Sequence, residues 1–307
     1  MRALLAPLGI LYRILQSADS LRHEWGAESV GLPVVSVGNL SAGGSGKTVL
    51  CDWLLHRFPG AGLAARGYGA ERGQPNDEMK LLASHHPGLL MESDPDRVAG
   101  ARRLKERGAR WVLLDDGFQH RRLRRDLDLV LLDAVNPFAG GLLPAGNLRE
   151  PPSALHRADL IILSRADALD SASREGLRRE LSLRFGKTVL CARHVPRPPR
   201  LHGNGTVLEP GEVHMLAGVA HPSSVAASLA KLGYWVKERT CPGDHRKPSA
   251  WDLKRLEQTK LPIVCTEKDW VKAPPGAAWH VLKVEWEFMD KSNTLDRLME
   301  RALGAPR

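Results

Sequence analysis

Residues 43–48, Gly43-Gly44-Ser45-Gly46-Lys47-Thr48, combine the residue types that hold a nucleoside triphosphate. Glycines let successive backbone N–H groups turn toward one anion, and a helix N-terminus adds partial positive charge. A lysine there reaches the β- and γ-phosphates, and the following hydroxyl binds Mg²⁺. Ser41, Ala42, Gly43, Gly44, Ser45, Gly46, Lys47 and Thr48 are therefore the expected nucleotide-binding residues, with Lys47 also catalytic and Thr48 also at the metal. The strict pattern wants glycine five residues before Gly46, where Ser41 stands, so the loop is a variant one.

Carboxylates supply the second kind of chemistry. Asp115 and Asp116 follow the apolar run Trp111–Leu114, and acids at a strand end beside a loop lysine hold Mg²⁺ directly or through water. Asp133, closing the run Leu127–Leu132, competes for that role. The first pair is preferred, because Gly117 frees the backbone there and Gln119 and His120 add polar groups at the same strand end. Asp77-Glu78 is a further acidic pair, read as lying in a loop after a short strand, where α/β sheets keep their chemistry. Arg149 and Glu150 lie in a long Gly/Pro loop, and Asp244-His245 in a later polar loop. The cluster Arg121-Arg122-Leu123-Arg124-Arg125 reads as a solvated face or a contact for an anionic substrate.

The elements that must position these groups alternate. Val34, Val35 and Val37 read as a buried parallel strand, and Val49, Leu50 and Trp53–Leu55 as the helix after the loop. Gly62–Ala65, Trp111–Leu114, Leu127–Leu132 and Leu160–Leu163 read as further strands. Strand and helical patterns alternating at least four times predict an α/β fold with a doubly wound, mostly parallel sheet. Residues 193–204, rich in Pro and basic side chains, read as a linker to a second, smaller α/β domain. The expected organisation is an amphipathic helix within 1–25, a phosphate-loop domain over 26–192, the linker 193–204, and the second domain over 205–307. In the first segment Leu4, Leu5, Leu8, Leu11, Tyr12 and Leu15 fall at helical spacing, with Arg2, Arg13 and Gln16 off the stripe. That pattern serves an anionic membrane surface or packing on the core equally well.

Composition narrows the classes. Forty-four Lys+Arg against 35 Asp+Glu among 307 residues give a net charge of +9, which favours nucleic acid, an anionic membrane or phosphorylated substrates. Nucleic acid is not expected: no helix-turn-helix, finger or aromatic-studded sheet motif appears, and aromatics are 5%. Four cysteines without a C-x-x-C pair argue against a metal knuckle or disulfide framework and for a reducing compartment. No run of 18 apolar residues is present.

Taken together, Ser36–Thr48, Arg66–Gly69, Asp77-Glu78, Asp115–Arg121, Leu143–Gly146 with Leu148–Pro151, Asp244-His245 and Thr266–Asp269 resemble the tetraacyldisaccharide 4′-kinase family, in that family's order. The resemblance implies two α/β domains, ATP and Mg²⁺ as cofactors, and an acylated glucosamine disaccharide 1-phosphate, the lipid A precursor, as phosphoryl acceptor at its 4′-hydroxyl. It also implies peripheral attachment to an anionic inner-membrane surface on its cytoplasmic face, tipping the reading of residues 1–25 toward membrane contact. Residue by residue, Asp77 matches the catalytic base and His245 its histidine partner. Asp115 and Asp116 match the Mg²⁺-site acids, with Gln119 and Glu150 in the same site, while Glu78 and Arg149 are expected substrate contacts. Joining residues 77 and 245 is expected to need closure of the two domains. Asn76, Met79 and Arg246 depart from the Gly, Pro and second His more usual there. A switch GTPase or metallochaperone is the alternative, since Ser164-Arg165-Ala166-Asp167 imitates a base-reading Asp.

Overall fold

The structure, a computed structural model, describes residues 26–41, 43–67, 74–244 and 246–304. The amphipathic segment 1–25, Ala42 and His245 lie outside the described residues. The chain divides into two units: one comprises the chain up to Pro75, His86–Arg193 and the chain from Trp286 on, the other Asn76–His85 and His194–Glu285.

In the first unit β1 (Val34–Asn39) is buried at every position. Apolar side chains on both faces suit the middle of a parallel sheet, which is covered on both sides. The other strands are β2 (Ala61–Ala65), β3 (Leu90–Ser93), β4 (Trp111–Asp115), β5 (Leu127–Asp133), β6 (Leu160–Ser164), β7 (Thr188–Pro196) and β13 (Val284–Phe288), in the order β13-β7-β6-β5-β1-β4-β2-β3. β1 pairs in parallel with β4 on one side and β5 on the other. After β1 the chain builds β2, β3 and β4 on one side, then crosses to β5, β6 and β7 on the other. The strand order therefore reverses at β1, and the crevice outside its carboxyl end is where open α/β sheets bind ligands.

Helices cover the sheet. Leu50, Cys51, Leu54 and Leu55 form the buried face of α1 (Lys47–Arg57). In α3 (Arg97–Glu106), Val98, Ala101 and Leu104 join Ala64, Val112 and Leu114 in one core cluster, and the Asp96 side chain caps its first turn. In α4 (Ser171–Phe185), Leu181 and Phe185 pack with Ile161, Leu163 and Val189. The last helix, α8 (Thr294–Gly304), falls in this first unit, with Leu295 and Met299 buried.

The second unit holds β8 (Arg200–Leu201), β9 (Glu212–Leu216), β10 (Trp235–Thr240), β11 (Ile263–Thr266) and β12 (His280–Leu282) in the order β10-β9-β11-β12-β8. Period-two alternation sorts its core: Val213, Met215 and Ala217 pack with Leu229 and Tyr234, whereas Leu216 packs with Leu256, Cys265 and Trp279. Its helices are α2 (Asp77–His85), α5 (Pro222–Lys231), α6 (Ala250–Gln258) and α7 (Glu267–Trp270).

Two differences from the sequence reading concern boundaries. The supposed linker 193–204 carries the end of β7 and all of β8. The chain returns to the first unit at Trp286, so residues 286–304 do not group with the second domain in which 205–307 was expected.

Candidate active site

β1 delivers the chain into the phosphate loop through Asn39, Leu40 and Ser41. Gly43 and Gly46 take φ of 126° and 89°, backbone that L side chains rarely adopt, so glycine is required at both. Gly46 is the N-cap of α1 and no side chain caps the first turn. The free N–H groups of that turn are therefore open to an anion. A Cβ built on Gly43 or Gly44 meets nothing within 4 Å, so the loop leaves room beside its backbone.

Lys47 opens α1. Its Nζ lies 3.1 Å from Asn39 Oδ1 and 3.3 Å from Asp116 Oδ1. Arg149 donates to Asp116 Oδ2 at 2.7 Å, so one carboxylate stands between two cations. Burial pushes the Asp116 carboxyl up, but Lys47 and Arg149 together outweigh it and hold the group below the usual carboxylate range. Asp116 itself sits at φ 52°, a left-handed conformation that Asp tolerates better than most residues. Asp115 is buried at the end of β4, with Cys51 Sγ 3.8 Å from its Oδ1.

The loop with Arg149 is fixed beside the phosphate loop by main chain. Ser41 forms an antiparallel bridge with Leu148, and Arg149 N–H donates to Leu40 O at 2.6 Å. Glu150, expected at the metal, is 2% exposed and spends its oxygens otherwise. Oε1 accepts from Gln119 Nε2 (3.1 Å) and Arg157 (3.0 Å), and Oε2 from Arg121 (2.9 Å) and Arg157 (2.8 Å). Gln119 also donates to Asn39 O at 3.0 Å, which leaves its buried Oε1 without a hydrogen bond.

The basic cluster 121–125 is mostly spent internally, contrary to a solvated face. Arg121 meets Glu150, Arg122 meets Glu28 and Asp96, and Arg125 meets Asp128, so of its arginines Arg124 is the exposed one. Asp133, the competing acid, is engaged by Arg165.

These residues fit a magnesium nucleotide. Thr48, Asp115, Asp116 and Gln119 share one strand-and-loop end, with an unbonded buried amide oxygen and a carboxylate among them. Among the described residues no three His, Cys, Asp or Glu form a metal cage. Mg²⁺ suits such a site, because it keeps several waters and takes one or two carboxylates plus substrate phosphates.

The other predicted residues fall in the second unit. Asp77 and Glu78 are not in a loop: they open α2, and Asn76 caps it, its Oδ1 accepting the Met79 N–H at 2.9 Å. Three ion pairs fasten α2 to the segment around α7: Asp77–Lys272 at 2.9 Å, Glu78–Lys268 at 2.8 Å and His85–Glu267 at 2.9 Å. Asp77 thus groups with the chain on either side of residue 245, so closure between units is not what would join them. In the Thr266–Asp269 stretch, Asp269 is fully buried and accepts from the Gly218 N–H (3.0 Å) and the Thr266 hydroxyl (2.6 Å). Burial raises its carboxyl above the usual range.

Sequence reasoning missed Asn39, Cys51, Arg97 and Lys272. Arg97 is 4% exposed, and burial lowers it to about 10 although Asp115 and Asp116 pull the other way. Of the four, Asn39 lies inside the Ser36–Thr48 motif and Lys272 three residues after the Thr266–Asp269 motif, so these two carried a positional signal.

A variant phosphate loop at the switch point of a parallel sheet, with a lysine, strand-end acids and an attached α/β unit, defines a phosphate-loop phosphotransferase. The family model of the tetraacyldisaccharide-1-P 4′-kinases (LpxK) matches residues 1–303, and the chain belongs to that family. The tetraacyldisaccharide 4′-kinase of Anaeromyxobacter dehalogenans (strain 2CP-C) is 36% identical over 308 residues, 88% of this chain and 82% of that protein. The enzyme of the same name from Aeromonas salmonicida (strain A449) is 34% identical over 334 residues, 100% of this chain and 95% of that one. Among solved structures, LpxK from Aquifex aeolicus in complex with ATP is similar with a TM-score of 0.79 and 25% identity, covering 98% of this chain and 99% of that chain. The switch-GTPase alternative is not favoured.

Proposed function

We infer that the chain is an ATP- and Mg²⁺-dependent kinase that transfers the γ-phosphoryl group to the 4′-hydroxyl of tetraacyldisaccharide 1-phosphate, a step of lipid A biosynthesis. The family match over residues 1–303 carries this conclusion, and the Lys47–Asp116–Arg149 cluster beside an uncapped helix N-terminus supports it.

Phosphoryl transfer asks a protein mainly to position reactants and to balance charge. Backbone N–H groups of residues 41–48 are assigned to cradle the phosphates. Lys47, held beside Asn39 and Asp116, would supply its charge to the β- and γ-phosphates. Mg²⁺, when bound, neutralises phosphate oxygens, and Thr48, Asp115, Asp116 and Gln119 would hold it. Glu150 holds Gln119 and Arg121 in place. Arg149 and Glu78 are assigned to the acceptor, Asp77 to accepting its hydroxyl proton, and His245 to partnering Asp77.

Location is assigned from the family resemblance, with the charge and the N-terminal segment in support. Residues 1–25 bind the anionic surface of the bacterial inner membrane from its cytoplasmic side, a reading supported by the +9 net charge and the apolar stripe in that segment. No helix among the described residues is long and apolar enough to cross a membrane.

The test is nucleotide and metal dependence with the lipid as acceptor. ATP with Mg²⁺ should yield product phosphorylated at the 4′ position, and chelation by EDTA should abolish it. GTP hydrolysis with the lipid untouched would contradict the reading.

A further inference from the structure

Lys272 and Asp77 are 195 positions apart in the chain, yet Lys272 Nζ lies 2.9 Å from Asp77 Oδ2. The lysine side chain is 3% exposed and the aspartate 21%. Burying an ammonium is costly unless a carboxylate meets it. Among the described residues Asp77 is that carboxylate, and Lys272 is the one ion-pair partner of Asp77. The backbone sets the lysine's place: its N–H donates to Asp269 O at 3.1 Å, in the turn that ends α7. Asp269, anchored by Gly218 and Thr266, is the other carboxylate whose field the ammonium reaches.

A latch between α2 and α7 does not by itself account for this pair. Lys268–Glu78 and His85–Glu267 already tie the same helix at 2.8 and 2.9 Å. Lys268 is 29% exposed, as a surface tie is, whereas Lys272 is almost wholly enclosed against the acid assigned as base.

We propose that Lys272 is a positioning residue of the phosphoryl transfer, its ammonium gripping Asp77 by Oδ2 and leaving Oδ1 to take the acceptor's proton. The proposal rests on the reading of Asp77 as base. In the step, the acceptor oxygen forms its bond to the γ-phosphorus and its proton passes to Asp77. The bond from that phosphorus to the bridging oxygen breaks, and ADP leaves with the electron pair. Lys272 keeps its protons throughout.

The experiment measures steady-state kinetics on the full chain for Lys272→Met, Lys272→Arg, Asp77→Asn and the double variant Asp77→Asn/Lys272→Met, each checked for ATP binding. Lys272→Met should lower kcat about 100-fold, the scale of one positioned base, with KM for ATP and lipid within about twofold of wild type. Lys272→Arg should recover most of the loss, and the double variant should be no slower than Asp77→Asn, because two groups acting as one unit do not add. His85→Gln, which loosens the same helix without touching the carboxylate, should leave kcat within about twofold. If Lys272→Met loses ATP binding, Lys272→Gln gives the same comparison. Near-wild-type kcat in the uncharged variants while Asp77→Asn is inactive would overturn the proposal and spare the base. Losses that multiply in the double variant would overturn it too. Full activity in Asp77→Asn would instead remove the base reading, and this proposal with it.

Discussion

Asp116 concentrates the electrostatics of the proposed nucleotide site, standing between Lys47 and Arg149 with a backbone conformation few residues accept. Asparagine keeps both the shape and the left-handed tolerance, so Asp116→Asn reads the charge alone. We predict a fall in kcat of about 100-fold and a higher Mg²⁺ requirement, measured by titrating Mg²⁺ at saturating ATP. His120 gives a pH prediction. Burial, reinforced by Arg97 and Arg125, lowers it from 6.5 to about 4. A folded state that binds this proton more weakly than the unfolded chain loses stability as pH falls from about 6.5 to about 4. After discounting for partial exposure the loss is about 2 kcal/mol. His214 and His280, lowered chiefly by burial as well, add to the same slope. The depressed carboxyl of Asp116 acts elsewhere: its stabilisation is present above its unfolded value of 3.8 and is lost below it. Denaturant midpoints at pH 7 and 4.5 should therefore differ less in His120→Gln than in wild type.

Strand β1 and the turn after β4 meet with no space to spare. A Cβ on Gly38 would lie 2.5 Å from Phe118 Cβ and 2.8 Å from its backbone nitrogen. Gly38→Ala should push residues 116–119 away from the phosphate loop, lowering both the melting temperature and kcat, the latter at least about tenfold, as misplacements near 1 Å do. A normal kcat with a normal melting temperature would contradict that packing. The strand, glycine turn and helix of the phosphate loop were legible in the sequence, because periodicity and glycine punctuation are local signals. So was Asp115-Asp116 at a strand end. Partners across the fold were not legible: nothing local in Glu150 announces Arg121 and Arg157, and nothing in Asp77 announces Lys272. Proline misled at residues 193–204, where the end of β7 and the edge strand β8 accommodate it although it reads as a linker. The acidic pair read as a loop begins a helix because Asn76 is a good N-cap.

The chain weaves between its two units at residues 75/76, 85/86, 193/194 and 285/286. A linear division at 193–204 could not show that α2 leaves the first unit or that α8 returns to it. The groups assigned to the nucleotide, Lys47, Asp115, Asp116 and Gln119, belong to one unit, and Asp77 and Glu78 to the other. Mg²⁺-ATP should consequently stabilise the first unit selectively, by about 2.7 kcal/mol at 100 times its Kd, and raise its denaturation midpoint. Urea unfolding followed by tryptophan fluorescence and by far-UV circular dichroism, with and without nucleotide, checks this. At the same scale, the full chain should co-sediment with anionic vesicles and release as salt rises, and not bind neutral ones.

The most direct test is transfer of labelled γ-phosphate from ATP to tetraacyldisaccharide 1-phosphate, in detergent micelles with Mg²⁺, by wild type and Asp77→Asn. The account predicts 4′-phosphorylated product from wild type and a loss of about 100-fold or more in the variant, with ATP binding retained. Wild type that leaves the lipid unlabelled would contradict it.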